Sequence, residues 1–111
     1  MPVFTILHRN TGAVLYTTTA DSLKQAVARA VAARTSLANA ELAGADLMNV
    51  SLEGGVFTNA NLKGANFDNA VLRGVDFTGA TLTNTSMKNV LSHQMVTTGA
   101  ETTNSTHVKK D

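Results

Sequence analysis

Residues 35–89 read TSLAN AELAG ADLMN VSLEG GVFTN ANLKG ANFDN AVLRG VDFTG ATLTN TSMKN. In every five-residue unit the third residue is Leu, Phe or Met, the first is small, and the fifth is Asn or Gly. A period of five matches neither the 3.6 residues per turn of an α-helix nor the two-residue alternation of a β-strand. The pattern therefore predicts a solenoid built from short, similar units.

Four such units close a coil of 20 residues if each one contributes a short extended side and a corner. The third and first residues then point inward, and Asn or Gly lies at the corner, where left-handed backbone costs these residues little. Residues 20 apart stack, which places Leu37, Phe57 and Phe77 in one column. On the outside, the same spacing brings Glu53 beside Arg73. Successive coils are expected about 4.8 Å apart, joined by parallel β-sheet.

The motifs Ala45-Asp46-Leu47, Ala60-Asn61-Leu62 and Ala65-Asn66-Phe67 match the pattern A-(D/N)-L-x-x. The repeat resembles the pentapeptide-repeat family over about half of the chain. This resemblance implies a mainly β fold, a right-handed quadrilateral parallel β-helix. It says little about function, although a few members of the family block type II topoisomerases by imitating DNA.

The residues before the repeat predict a cover for its first coil. Residues 3–8 and 13–18 are β-prone runs joined by a turn, which indicates a β-hairpin. Residues 22–34 begin with capping-box spacing and continue with helical apolar spacing, which predicts a capping α-helix. We therefore assign residues 1–34 to the hairpin and helix. This lead-in is similar to that of small phage and prophage pentapeptide proteins.

The five-residue pattern ends after residues 35–89, because Ser92 occupies the third position, where Leu or Phe is expected. Residues 90–111 are therefore predicted to form a short C-terminal helix or cap and a disordered tail. One face of that helix would carry apolar residues that cover the last coil or join two molecules into a homodimer. These residues are Met87, Val90, Leu91 and Met95.

Composition limits the classes of function. The 111 residues carry a formal net charge of +1, no Cys and only 5% aromatic residues. This charge balance favours neither nucleic acid nor an anionic membrane as a binding partner. The first residues lack a signal-peptide pattern and no apolar run could cross a bilayer, so a soluble cytoplasmic protein is expected.

The sequence offers no arrangement that supports catalysis. The three histidines, His8, His93 and His107, are far apart, whereas a metal site needs convergent ligands. Paired acids of a hydrolase require a cleft, and a filled coil provides none. We therefore predict a protein that is not an enzyme and has no catalytic residues, no metal and no cofactor.

Four outward positions break the polar pattern of the coil surface, and they predict a patch for an unidentified protein partner. They are Met48, Val56, Val71 and Leu91. Scattered exposed hydrophobic residues are normal, which leaves tolerated scatter as the alternative. The preferred interpretation is a non-enzymatic protein–protein interaction module, in line with a phage or prophage accessory or host-modulating role.

The alternative is an inhibitor of a DNA-processing enzyme of the topoisomerase type, acting by partial DNA mimicry. Residues 36–89 contain five acidic and three basic residues, a net charge of −2. Their coils would extend about 13 Å, and duplex DNA of that length carries roughly 8 negative charges. The low charge density makes mimicry the weaker interpretation.

Overall fold

The computed structural model describes residues 2–106, which begin with an antiparallel hairpin. Strand β1, Val3–Leu7, pairs with strand β2, Val14–Thr19. Both segments are rich in β-branched and aromatic residues, which fit extended backbone. The register of the pair shifts between Ile6 and Leu7, and the side chain of Ile6 is buried in the core.

Helix α1, Leu23–Ala32, follows the hairpin directly. Ser22 caps its first turn, because Ser22 Oγ accepts a hydrogen bond from the N–H of Gln25 at 3.1 Å. Gln25 Oε1 in turn accepts one from the N–H of Asp21 at 2.7 Å. This reciprocal pair satisfies two backbone donors at the helix start. The helix packs its apolar face on the first coil through Ala26, Val27 and Ala30.

From residue 37 onward the chain winds into a β-helix solenoid, in which residues 20 apart form parallel bridges. The bridges make four ladders, which we name by their first residues as the Glu41, Asp46, Ser51 and Val56 ladders. Their members are Glu41, Asn61, Thr81, Glu101; Asp46, Asn66, Ser86, Thr106; Ser51, Val71, Leu91; and Val56, Asp76, Val96. Within residues 2–106 the fold is mainly β with one helix, which confirms the predicted mainly β class.

The fifth residue of each unit turns the chain at positive φ. Values between 58° and 74° occur at Asn39, Gly44, Asn49, Gly54, Asn59, Gly64, Asn69, Gly74, Gly79, Asn84, Asn89, Gln94, Gly99 and Asn104. Left-handed backbone costs most L-residues about 1–2 kcal/mol, whereas Gly adopts it freely and Asn tolerates it. The predicted role of the Asn and Gly positions is confirmed.

The third residues of the units fill a narrow core. Three fully buried phenyl rings form its centre, with ring centroids 5.7 Å apart for Phe57 and Phe77 and 5.6 Å apart for Phe67 and Phe77. These distances suit tilted and edge-to-face aromatic pairs, which are favourable beyond their burial. The stacking of Phe57 beside Phe77 confirms the 20-residue column.

The hairpin is joined to the Glu41 ladder by main-chain pairing. His8 forms an antiparallel bridge with Ala40, and the N–H of Glu41 donates to the carbonyl of Leu7 at 2.8 Å. The Arg9 guanidinium reaches further along the solenoid: its Nη1 donates to Asn59 O and to Thr81 Oγ1, both at 3.1 Å. Strand β1 therefore extends the sheet that the Glu41 ladder builds.

Residues 90–106 differ from the prediction, because they form further coil and no helix. The bridge of Val71 with Leu91 is followed by others up to the bridge of Ser86 with Thr106. The predicted helical face does not exist. Met87 and Met95 are buried, Val90 is partly buried against the core, and Leu91 is exposed. Residues 107–111 of the predicted tail lie outside the described residues.

The coil continues there because its main-chain bonds do not depend on a large inward side chain. The N–H of Leu91 donates to Ala70 O at 3.1 Å, and the N–H of Val96 donates to Val75 O at 2.9 Å. Small hydroxyl side chains take the inward third positions, namely Ser92, Thr97 and Thr102, all partly buried. In the last coil the inward third positions are therefore polar, whereas Met95, at an inward first position, is buried and apolar. Within residues 2–106, α1 is too short to span a membrane.

Candidate interaction surface

The Ser51 ladder presents two aliphatic side chains to solvent. Val71 is partly buried and Leu91 is 51% exposed, and the two residues form a parallel bridge. Main-chain hydrogen bonds join the strands of both residues to the neighbouring coil; for example, the N–H of Leu72 donates to Leu91 O at 2.7 Å. The structure therefore places these two residues, both predicted for this surface, next to each other on one ladder.

The neighbouring Val56 ladder adds two valines. Val56 is 38% exposed and Val96 is 40% exposed. Asp76 lies between them, and its Oδ1 accepts hydrogen bonds from the N–H and hydroxyl of Thr78. The carboxylate is therefore bonded within its own turn. We call Val56, Val71, Leu91 and Val96 the two-ladder patch.

Polar side chains, two of them charged, lie in the turns between the two ladders. Glu53, Arg73 and His93 follow one another at 20-residue spacing and are all exposed. Arg73 Nη2 lies 3.4 Å from Glu53 Oε1, which confirms the predicted neighbours. Such an exposed ion pair contributes only about 0–1 kcal/mol to stability. It places both signs of charge beside the aliphatic side chains.

Met48 does not belong to the two-ladder patch. It is partly buried in the turn that follows Asp46, and its N–H donates to Asp46 Oδ1 at 3.1 Å. Val96, in contrast, belongs to the patch although the sequence prediction omitted it. Two features of the sequence point to Val96: it lies 40 residues after Val56, and Asn or Gly still occupies the fifth position of later units, at Gly99 and Asn104.

A groove of about 430 Å³ extends the patch toward α1. The coil contributes Val56 and the main chain of Gly54 and Gly55, and the end of α1 contributes Val31. Arg34 lies on one side of the groove and Glu53 also lines it. The groove and the patch form one continuous surface because Val56 belongs to both.

The histidines of the described chain serve no common site. His8 Nδ1 accepts hydrogen bonds from the N–H groups of Asn10 and Thr11, at 3.1 and 3.3 Å, and so stabilises the hairpin turn. His93 is exposed in the turn between two ladders. In residues 2–106, no group of three or more His, Cys, Asp or Glu is placed to hold a metal ion.

The repeat is recognised directly by comparison with known families. The family model for pentapeptide repeats matches residues 27–54 and 56–90, in eight copies and over more than half of the chain. The chain belongs to the pentapeptide-repeat family. Beyond residue 90, where the match ends and the inward Leu and Phe are absent, the coil keeps its turns at positive φ. Neither a curated protein nor a solved structure matches the chain.

Proposed function

We propose that this pentapeptide-repeat protein is a non-enzymatic interaction module that binds a protein partner through the two-ladder patch. The observation that carries the proposal is the exposure of three aliphatic side chains, Val56, Leu91 and Val96, on two adjacent ladders. Most other outward ladder positions are polar. Exposed aliphatic side chains that are grouped on neighbouring ladders among polar residues are typical of a protein contact.

The rigidity of the backbone supports the same proposal. Each ladder is fixed by main-chain hydrogen bonds to the preceding coil, such as Val71 N to Val50 O at 2.9 Å and Val96 N to Val75 O at 2.9 Å. A partner would therefore meet a surface that is already ordered. Binding to an ordered surface avoids much of the entropy loss that accompanies the ordering of a flexible segment.

The test compares two double variants of equal charge. Leu91→Lys/Val96→Lys places two cations in the patch, and Ala43→Lys/Thr103→Lys places two in exposed turns after the Glu41 ladder. A partner captured by the wild type should be lost with the patch variant and retained with the control. The contact should then be reproduced with both purified proteins. Equal capture by both variants would reject the patch, provided that circular dichroism shows both variants to be folded.

The charges support this proposal over DNA mimicry. Among the acids of the repeat, Glu53 pairs with Arg73 at 3.4 Å and Asp46 lies 3.9 Å from Lys24 Nζ. These cations reduce a negative potential that is already weak. A supercoiling assay separates the two functions, because inhibition of a topoisomerase at micromolar protein would favour mimicry.

The finer form of the fold is part of the proposal. We infer a right-handed quadrilateral coil, which is supported by four ladders and by bridges between residues 20 apart. A crystal structure would determine the handedness. A phage or prophage role stays a prediction from the order of hairpin, helix and repeat.

A further inference from the structure

The hairpin covers the N-terminal edge of the sheet formed by the Glu41 ladder, so that β2 becomes the open edge of this sheet. The end of β1 and the two residues after it bond to residues 39–41: Glu41 N donates to Leu7 O at 2.8 Å, and Arg9 N donates to Asn39 O at 2.7 Å. Strand β2 pairs with the other side of β1. The sheet of the Glu41 ladder therefore ends in β2 at its N-terminal side, and the open edge consists of β2 itself.

The peptide groups of Thr17 and Thr19 point away from β1. The N–H of Ala20 donates to Pro2 O at 3.0 Å, so the hydrogen-bonded pairs of this hairpin are those of Ala20 and, two residues earlier, Thr18. Thr17 and Thr19 alternate with them and face outward. Both side chains are exposed. Outside the β1–β2 pairing, no backbone hydrogen bond joins their N–H groups to another part of residues 2–106. Thr19 O accepts a hydrogen bond from Thr18 Oγ1 at 3.2 Å and keeps a second lone pair for a partner.

This edge lacks the features that normally prevent strands from pairing between molecules. Edge strands are usually protected by Lys, Pro, a bulge or a covering segment. β2 reads VLYTTT, without charge or Pro. Its bulge is at Leu15, between Val14 and Tyr16, and lies outside residues 17–19. The outward peptide groups of Thr17 and Thr19 are therefore available for pairing, in a run of three threonines with high β-propensity.

We propose that a second copy of this chain pairs its β2 antiparallel with this edge, with the two-fold axis at Thr18. Thr17 of each copy then lies opposite Thr19 of the other, and the outward groups of both residues form four hydrogen bonds. The result is a four-stranded sheet in the order β1, β2, β2, β1. A second copy fits because the two outward threonines are symmetric about Thr18, so that each copy satisfies the other.

The charges around the edge suit this self-association. In the proposed register Asp21 of one copy lies beside Leu15 of the other. Residues 2–20 contain no acidic side chain, and the guanidinium of their single Arg, Arg9, contacts only the neutral groups Asn59 O and Thr81 Oγ1. Asp21 therefore meets no like charge. The surface differs from the two-ladder patch, so this proposal does not depend on the proposed function.

The first test measures the mass in solution over a range of concentrations for the wild type and two double variants. Thr17→Lys/Thr19→Lys would place Lys opposite Lys twice across the dimer, and the association constant should fall by about tenfold or more. Val3→Lys/Thr5→Lys is the matched control. It alters the cross-strand neighbours on the same exposed face with the same charge, but on β1. The control should dimerise like the wild type.

The second test uses the absence of cysteine from the chain. In a hydrogen-bonded antiparallel pair the Cα atoms are about 5.5 Å apart, which permits a disulfide. Tagged Thr17→Cys mixed with untagged Thr19→Cys should form a mixed disulfide dimer under mild oxidation, and Thr5→Cys with Thr19→Cys should not. A monomeric wild type, equal dimerisation of both Lys variants, or equal cross-linking in both mixtures would each overturn the proposal.

Discussion

Gly55→Ala is expected to destabilise the protein, although the repeat pattern predicts the opposite. Gly55 is the first residue of its unit, a position that Ala occupies in most other units, and its φ lies outside the left-handed region. At such a position Gly→Ala usually raises stability by about 0.4–1 kcal/mol, because it restricts the unfolded chain.

The surroundings of Gly55 leave no room for a methyl group. An added Cβ would lie 2.7 Å from Phe57 Cε2, 3.0 Å from Leu52 O and 3.3 Å from Val31 Cγ2 of α1. Overpacking of this kind costs about 1–3 kcal/mol. Set against the entropic gain, the free energy of unfolding should fall by about 1–2 kcal/mol. With an m-value near 2 kcal/mol/M, the urea midpoint should fall by roughly 0.5–1 M.

The measurement is urea unfolding of Gly55→Ala, Phe57→Leu and the double variant. Leu is the commonest third residue in the repeat and should withdraw the ring edge that blocks the new Cβ. The two substitutions should therefore be less destabilising together than the sum of their separate effects. A higher midpoint for Gly55→Ala alone would show that α1 and Phe57 do not pack on this position as described.

Two further predictions concern the turns and the last coil. Gly64 and Gly79 have φ of 73° and 69°, but only at Gly79 would a Cβ collide with a side-chain atom, Asn59 Oδ1. Gly64→Ala should lower the free energy of unfolding by about 1–2 kcal/mol, and Gly79→Ala by about 0.5–1.5 kcal/mol more, because Asn59 must leave its rotamer. In thermal unfolding, adding Asn59→Gly to Gly79→Ala should remove this excess. Equal destabilisation by the two single variants would contradict the contact between Gly79 and Asn59. Ser92 stacks beyond Leu72, so Ser92→Leu should extend the apolar column and stabilise the protein by about 1–2 kcal/mol. A lower urea midpoint for Ser92→Leu would contradict the coil at residues 90–96.

Much of the fold could be predicted because its rule is local and recurs every five residues. An apolar third residue points inward, and Asn or Gly at the fifth turns the chain at positive φ. These preferences belong to individual residues and their nearest neighbours in the chain. The stacking of Phe57 beside Phe77 and of Glu53 beside Arg73 then follows from the 20-residue closure.

The candidate surface was predicted only in part. Val71 and Leu91 meet as expected, but Met48 lies apart and Val96 was missed. The absence of large apolar third residues after Met87 predicts an end of the coil there, which leaves Val96 outside the expected surface. The main-chain hydrogen bonds of the ladders do not require a large apolar residue at every third position, since Ser92 and Thr97 take that position in the last coil.

By itself, the amino-acid sequence determined the period, the inward and outward positions, the turns and the order of hairpin, helix and repeat. Tertiary structure decided that the coil continues through residues 90–106, why Gly55 must stay without a Cβ, and which edge the hairpin leaves open. These properties depend on contacts between residues far apart in the chain, such as Val31 with the Gly55 position and β1 with residues 39–41. A five-residue rule contains no information about them, because each is set by what packs or bonds against the unit from another coil or from the N-terminal elements.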